Sequence, residues 1–177
     1  MIEEFLSWNI SRELIIVIIS ALPIVELRGA LPVAINLFHM PWYKAFCLAI
    51  IGNLLPVPIL LLFLDSLAKV VSHIEIGRRI VNWVFDHTRR RGKTIERYEK
   101  IGLTLFVAIP LPVTGAWTGS IAAFLLGLRL RYAFLSILIG VIIAGAIVTS
   151  LCLLGWLGAI IAGVGLCALA ILGWRRT

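Results

Sequence analysis

Long apolar runs separated by short clusters of charge make up this chain, and the length of each run predicts its fate. Leu14 to Val25 is a run of 12 uncharged residues and Gly29 to Tyr43 a run of 15. As helices these arms reach only about 18–22 Å, short of the ~30 Å hydrocarbon core of a bilayer, so neither crosses alone. Glu26, Leu27 and Arg28 lie between them, and Pro23, Gly29 and Pro32 crowd the junction. Proline removes a backbone donor there and glycine frees the dihedral angles. The pattern predicts a broken helix or re-entrant hairpin over residues 12–40, in preference to one kinked span. Ala45 to Leu64 is different. Its 20 residues carry no charge and are entered through Pro41, Trp42, Tyr43 and Lys44, which predicts a transmembrane helix over 42–66. Pro56 and Pro58 read as a kink within it, and Asn53 as an interhelical hydrogen-bonding residue or part of a polar site.

Residues 65–100 form a hydrophilic block with nine cations against five acids. The positive-inside rule puts it in the cytoplasm, and Leu67, Val70, Val71 and Ile74, then Ile80, Val81, Val84 and Phe85, recur at the spacing of amphipathic interfacial helices. Ile101 to Leu128, 28 uncharged residues interrupted by Pro110, Pro112 and Gly115, predicts a second broken hairpin over 101–128. Beyond Arg129 and Arg131, the 43 uncharged residues from Tyr132 to Trp174 suffice for two spans, over 130–154 and 156–175. A weak internal repeat supports this division. At an offset of 88, Ile50-Ile51-Gly52 falls on Leu138-Ile139-Gly140, and Glu26 to Pro32 falls on Thr114 to Ser120. One span separates the two hairpins, so they open to opposite sides and the repeats are inverted, the plan on which many secondary transporters build a site at the bilayer midplane.

The expected fold class is therefore an all-α integral membrane protein: an inverted repeat of re-entrant hairpin plus transmembrane helix, with an extra C-terminal span and cytoplasmic amphipathic helices. Residues 1–177 form a single membrane domain, with repeat 1 at 12–66, a linker at 67–100, repeat 2 at 101–154 and the last span at 156–175. Composition agrees, since 61% of the residues are hydrophobic and only 14% charged, about half the charge of a soluble domain. The net charge of +7 resides mostly in one loop and at the C-terminus, where it reports orientation and gives no basic face for nucleic acid. A prokaryotic-type cell membrane, with residues 65–100 and the C-terminus cytoplasmic, is the expected location. Glu3, Glu4, Arg12 and Glu13 precede the first apolar run with the wrong sign for a cleaved signal peptide. Cys47, Cys152 and Cys167 lie in apolar segments without metal or redox spacing, and His39, His73 and His87 show no ligand spacing either. With no nucleophile motif or phosphate loop, neither an enzyme nor a metal or cofactor is expected.

The chemistry points to the charged centre. An acid and a base amid hydrocarbon cost roughly 2.5–3.5 kcal/mol each unless they pair, line a wet cavity or do chemistry. Burial raises a carboxylate's pKa and a guanidinium lowers it, so Glu26 is a candidate proton carrier; a static bond holding the hairpin is the plainer reading. Backbone amides at Gly29, or at Gly115 to Gly119, would favour an anionic group such as phosphate if they begin half-helices. Gly115 and Gly119 also suit close helix packing, and Trp117, away from the expected interfaces, suggests a lining or plug residue.

The segments Glu-Leu-Arg-Gly-Ala-Leu-Pro at 26–32 and Pro-Leu-Pro-Val-Thr-Gly-Ala-Trp-Thr-Gly at 110–119 resemble the two signature motifs of the putative small multidrug export protein family, a distant relative of the DedA membrane proteins. The resemblance covers roughly residues 14–160 and implies two facing re-entrant loops and proton-linked translocation of an amphiphile or lipid phosphate, with small cationic drugs as the alternative substrate. Glu26 and Arg28 are then the coupling residues, and Gly29, Pro32, Asn53, Pro110, Pro112, Thr114, Gly115, Trp117, Thr118 and Gly119 line the substrate path. DedA proteins carry arginines after their second Ile-Pro element, where this chain is uncharged from Leu111 to Ser120; Arg129 and Arg131 are the nearest candidates for an anionic headgroup. Membrane lipids, protons and the substrate are the expected partners, with room for a homo-oligomer, and an assembly protein is the competing class.

Overall fold

The computed structural model describes residues 11–71, 93–111 and 114–155, together with 157, 158, 160 and 163–165. Residues 72–92 of the expected amphipathic linker 67–100, Pro112 and most of the expected span 156–175 lie outside the described residues. Every regular element among the described residues is helical.

Helix α1, Arg12–Ala21, starts at Ser11, whose side chain accepts a hydrogen bond from the Leu14 N–H at 3.3 Å, with Glu13 in the first turn where the helix dipole favours an acid. It stops because Pro23 pushes the residue before it out of the helical region, and Leu22 is extended, with ψ 139°. After a short turn, α2 runs from Glu26 to Pro32 and continues as a π-helical turn over Val33–Leu37. Pro32 offers no N–H to the carbonyl one turn back, and the ladder resumes at wider spacing, with the Phe38 N–H on the Val33 carbonyl at 2.9 Å. Of the three residues that crowd the junction, Pro23 makes the break, at 22–25, where it ends α1, while the π turn absorbs Pro32.

Helices α3, Trp42–Leu54, and α4, Pro56–Val71, are separated by Leu55, which is itself helical, and Trp42–Leu64 makes a span of 23 apolar residues. Helix α5, Lys93–Ala108, ends before Pro110, α6 is Ala116–Leu125, and α7, Leu130–Leu153, is a second apolar helix of spanning length. Both edges of the charged block differ from expectation: α4 continues to Val71, past the expected end of the span at 66, and α5 begins at Lys93, ahead of residue 101. Backbone hydrogen bonding continues through charged side chains as readily as through apolar ones, so a change of composition does not end a helix.

The first three helices pack through a few close contacts. Glu13 pairs with Lys44 at 2.7 Å, and this exposed ammonium holds the Glu13 carboxyl below its ordinary range. The Ser20 hydroxyl donates to the Ala49 carbonyl, and Gly52 abuts the Val17 carbonyl and Ser20, so α1 and α3 run side by side in one direction. The Arg12 guanidinium lies 5.8 Å from the centre of the Phe38 ring, which brings the far end of the α2 segment back to the end where α1 began. In the second half the Lys100 ammonium sits 3.3 Å over the Tyr132 ring, and a Cβ at Gly140 would lie 2.9 Å from the Thr104 carbonyl, so α5 and α7 also run alongside each other. Helix α2 packs on α3 and on α7, whereas α6 packs on α7 and on α4. The two broken helices thus cover different halves of the α3–α4 span. Ile16, Leu27, Leu31, Val57, Val107 and Ile137 are wholly or almost wholly buried between them, while Ile51, Ile59, Phe63 and Ile139 face outward, as apolar side chains do beside lipid.

A Cβ at position 52 would meet backbone, which cannot rotate aside. Gly52→Val is expected to separate α1 from α3 and cost about 1–3 kcal/mol, the usual range for overpacking. The check is the unfolding midpoint in detergent, with the exposed neighbour change Ile51→Val as control.

Candidate functional site

Five residues from two distant stretches of the sequence converge where the two broken helices meet. Glu26 opens α2 with a left-handed backbone, φ 52°, and is 6% exposed. Its carboxylate lies against Gly115, at a place a Cβ on that residue would occupy. One carboxylate oxygen accepts from the Trp117 N–H at 3.5 Å, and the Ala116 N–H also faces it. These amides belong to the first turn of α6, whose leading N–H groups have no partner inside their own helix. Glu26 therefore caps α6 from across the molecule, and its charge is favoured by the helix dipole.

The exchange runs in the other direction as well. The Trp117 indole N–H donates to the carbonyl of Ala21, the last residue of α1, at 3.1 Å. Arg28 donates through Nη1 to the Leu111 carbonyl and through Nη2 to the Thr114 hydroxyl oxygen at 3.1 Å. That hydroxyl lies 2.7 Å from the Ile109 carbonyl and accepts from the Leu111 N–H at 3.2 Å, which ties the segment after α5 into a knot of its own. Each break leaves backbone groups open, and hydrocarbon offers nothing to satisfy them. Each break satisfies the other. The resulting interlock sits level with the end of α1, and Ser20 and Gly52 put that level next to Asn53, as many residues from Trp42 as from Leu64.

Glu26, Arg28, Thr114, Gly115 and Trp117 are thus brought together. Glu26 and Arg28 take separate partners in the second loop. The Gly29 N–H is bonded to the Val25 carbonyl at 3.2 Å, and the N-terminus of α6 already holds the Glu26 carboxylate, so neither supplies the free amides expected for an anion. Pro32 closes α2, and Pro110 follows α5 and is half-buried. Thr118 lies in the first turn of α6 with its hydroxyl 3.5 Å from the Gly115 carbonyl, and Gly119 packs α6 against the Val107 side chain. Arg129 and Arg131 are exposed at the start of α7, close in sequence to Tyr132 and its Lys100 partner. Asn53 is fully buried with neither Nδ2 nor Oδ1 bonded to the protein, which leaves about 1–3 kcal/mol of desolvation uncompensated for each orphaned group. Sequence reasoning missed Ala21 and Leu111, which act through their backbones. The one available signal was Trp117 itself, since a sheltered indole N–H needs an acceptor.

The model of the family described as Putative small multi-drug export protein matches residues 26–147. The chain belongs to this family. No curated protein and no solved structure matches it. The matched segment of the chain opens on Glu26 itself and contains every residue of the interlock except Ala21. An export family and two apolar helices of 23 and 24 residues together make the chain a membrane protein.

Proposed function

We propose that this family member is a proton-coupled exporter of small amphiphilic cations, with Glu26 as the group that exchanges a proton for substrate. The observation that carries the reading is the position of the Glu26 carboxylate, buried at the head of α6 where the two broken helices hold each other closed. A proton or an organic cation on that carboxylate removes the negative charge favoured by the helix end, so loading and unlocking become one event. The inverted-repeat architecture has support in the packing. Gly52 lies on the Val17 carbonyl and Gly140 beside the Thr104 carbonyl, and the two glycines are 88 residues apart. The broken helices covering different halves of the α3–α4 span fit hairpins that enter from opposite faces, with residues 65–100 on the cytoplasmic side. Lipid phosphate, the substrate implied by likeness to DedA proteins, would need the guanidinium of Arg28, which is engaged with Leu111 and Thr114.

Direct binding to purified protein separates the two substrates by sign of charge. A charged hydrogen-bonding partner is worth roughly 1.5–3 kcal/mol, so Glu26→Gln is expected to weaken a cationic dye about tenfold to a hundredfold and leave polyprenyl phosphate unchanged. Unaltered dye affinity in Glu26→Gln, with weakened phosphate binding in Arg28→Lys, would reverse the assignment.

A further inference from the structure

Asn53 is a wholly buried amide whose donor and acceptor both lack a partner in the protein, and the interlock does not use it. Its position on α3 is well defined. Gly52 faces α1, whereas Phe46 and Ile50 lie against Gly145 of α7. At 100° per residue, Asn53 continues the Phe46–Ile50 stripe toward α7, and α2 packs on both α3 and α7, so the amide points to the place where three helices converge. Its depth is that of the end of α1, level with the carboxylate of Glu26.

The chemistry of the missing partner is constrained. An ammonium donates only and a phosphate accepts only, so either would leave half of the amide unserved. Water does both, and buried water characteristically bridges such groups. The titratable and charged groups on the elements packed around Asn53 are Arg12 and Glu13 of α1, Glu26 and Arg28 of α2, Tyr43, Lys44 and Cys47 of α3, Asp65 and Lys69 of α4, and Arg131, Tyr132 and Cys152 of α7. Apart from Glu26, Arg28 and Cys47, these groups lie in the first or last turn of their helices or, with Asp65, just beyond Leu64 at the end of the apolar span. We infer that Asn53 anchors an ordered internal water at the centre of the span, and that this water is the last station of the proton before Glu26. The role given to the proton rests on the exporter reading above; the water site does not. Asn53 is then a positioning residue. It never changes charge, and it holds the molecule that carries the proton.

The test uses the full chain in liposomes. Brief radiolysis in 18O-labelled water marks side chains beside bound water, and Ile50 and Leu54 are the reporters. They are expected to take up label in the parent and in Asn53→Ser, and to lose it in Asn53→Leu. Uptake driven by a pH gradient is expected to slow at least about tenfold in Asn53→Leu, because proton transfer loses a positioned partner, and to survive in Asn53→Ser. Uptake driven by substrate alone at equal pH should change less than the pH-driven rate. Asn53→Val replaces Asn53→Leu if the larger side chain prevents folding. Equal labelling in the parent and the apolar variant, or normal pH-driven uptake in a folded apolar variant, would overturn the inference. A pH response that persists in Glu26→Gln but disappears in Asn53→Leu would uphold the water site and remove Glu26 as the proton's destination.

Discussion

Glu26→Gln is expected to fold like the parent protein and to transport without any response to an imposed pH gradient. The amide keeps an oxygen that can accept from the Trp117 N–H, so the cap on α6 survives in shape, while the group no longer titrates in the working range. The effect is large because a gradient of one pH unit supplies about 1.4 kcal/mol per coupled proton, roughly tenfold in the substrate gradient that can be sustained. Liposomes loaded with a cationic dye at one pH and diluted into another give the measurement. The parent should accumulate or expel dye in proportion to the gradient, and the variant should only equilibrate it. A variant that remains folded and still responds fully to pH would make Glu26 a structural cap and nothing more.

The second large effect falls on stability. Arg28→Ala removes a guanidinium that serves two acceptors at once, the Leu111 carbonyl and the Thr114 hydroxyl, and leaves them only the hydrogen bonds within their own loop, with nothing tying that loop to α2 through this side chain. Hydrogen bonds to a charged group contribute about 1.5–3 kcal/mol each, so a loss of about 3 kcal/mol or more is expected in detergent unfolding. Arg28→Lys should recover only part of it, since an ammonium on a flexible stem does not reproduce the planar fork. A midpoint within experimental scatter of the parent would mean that the guanidinium is not committed to the second loop, and the lipid-phosphate substrate would regain its main binding group.

These two residues also mark how far the sequence could be read. Their cost in hydrocarbon singled them out, and the prolines at 23 and 110 announced that the helices around them break. The span at Trp42–Leu64 and the helix at Leu130–Leu153 followed from run length. What Glu26 and Arg28 do with their charges was not legible. Arg28 reaches a carbonyl 83 positions away and Trp117 one 96 positions away, and a side chain bonded to a distant backbone leaves no periodicity and no motif at the acceptor, which can be any residue type. Which of the three junction residues breaks the first helix is decided locally. Gly29 and Pro32 look like helix breakers, yet a seven-residue helix followed by a π turn accommodates both, and Leu22 yields to Pro23 first.

The left-handed backbone of Glu26 makes one residue both latch and hinge. A residue with a Cβ held there costs roughly 1–2 kcal/mol relative to the right-handed region. Glycine would remove that strain, but it would also remove the carboxylate that closes α6. The strain is therefore sustained only while the carboxylate is seated. In the exporter proposed above, a proton or a cation that unseated it would free φ at residue 26 to return to negative values, and a change at that single bond would swing α2 relative to α1 about the turn at 22–25. Chemistry at one side chain would then become rotation of a helix without any relay between them, because the side chain and the pivot belong to the same residue.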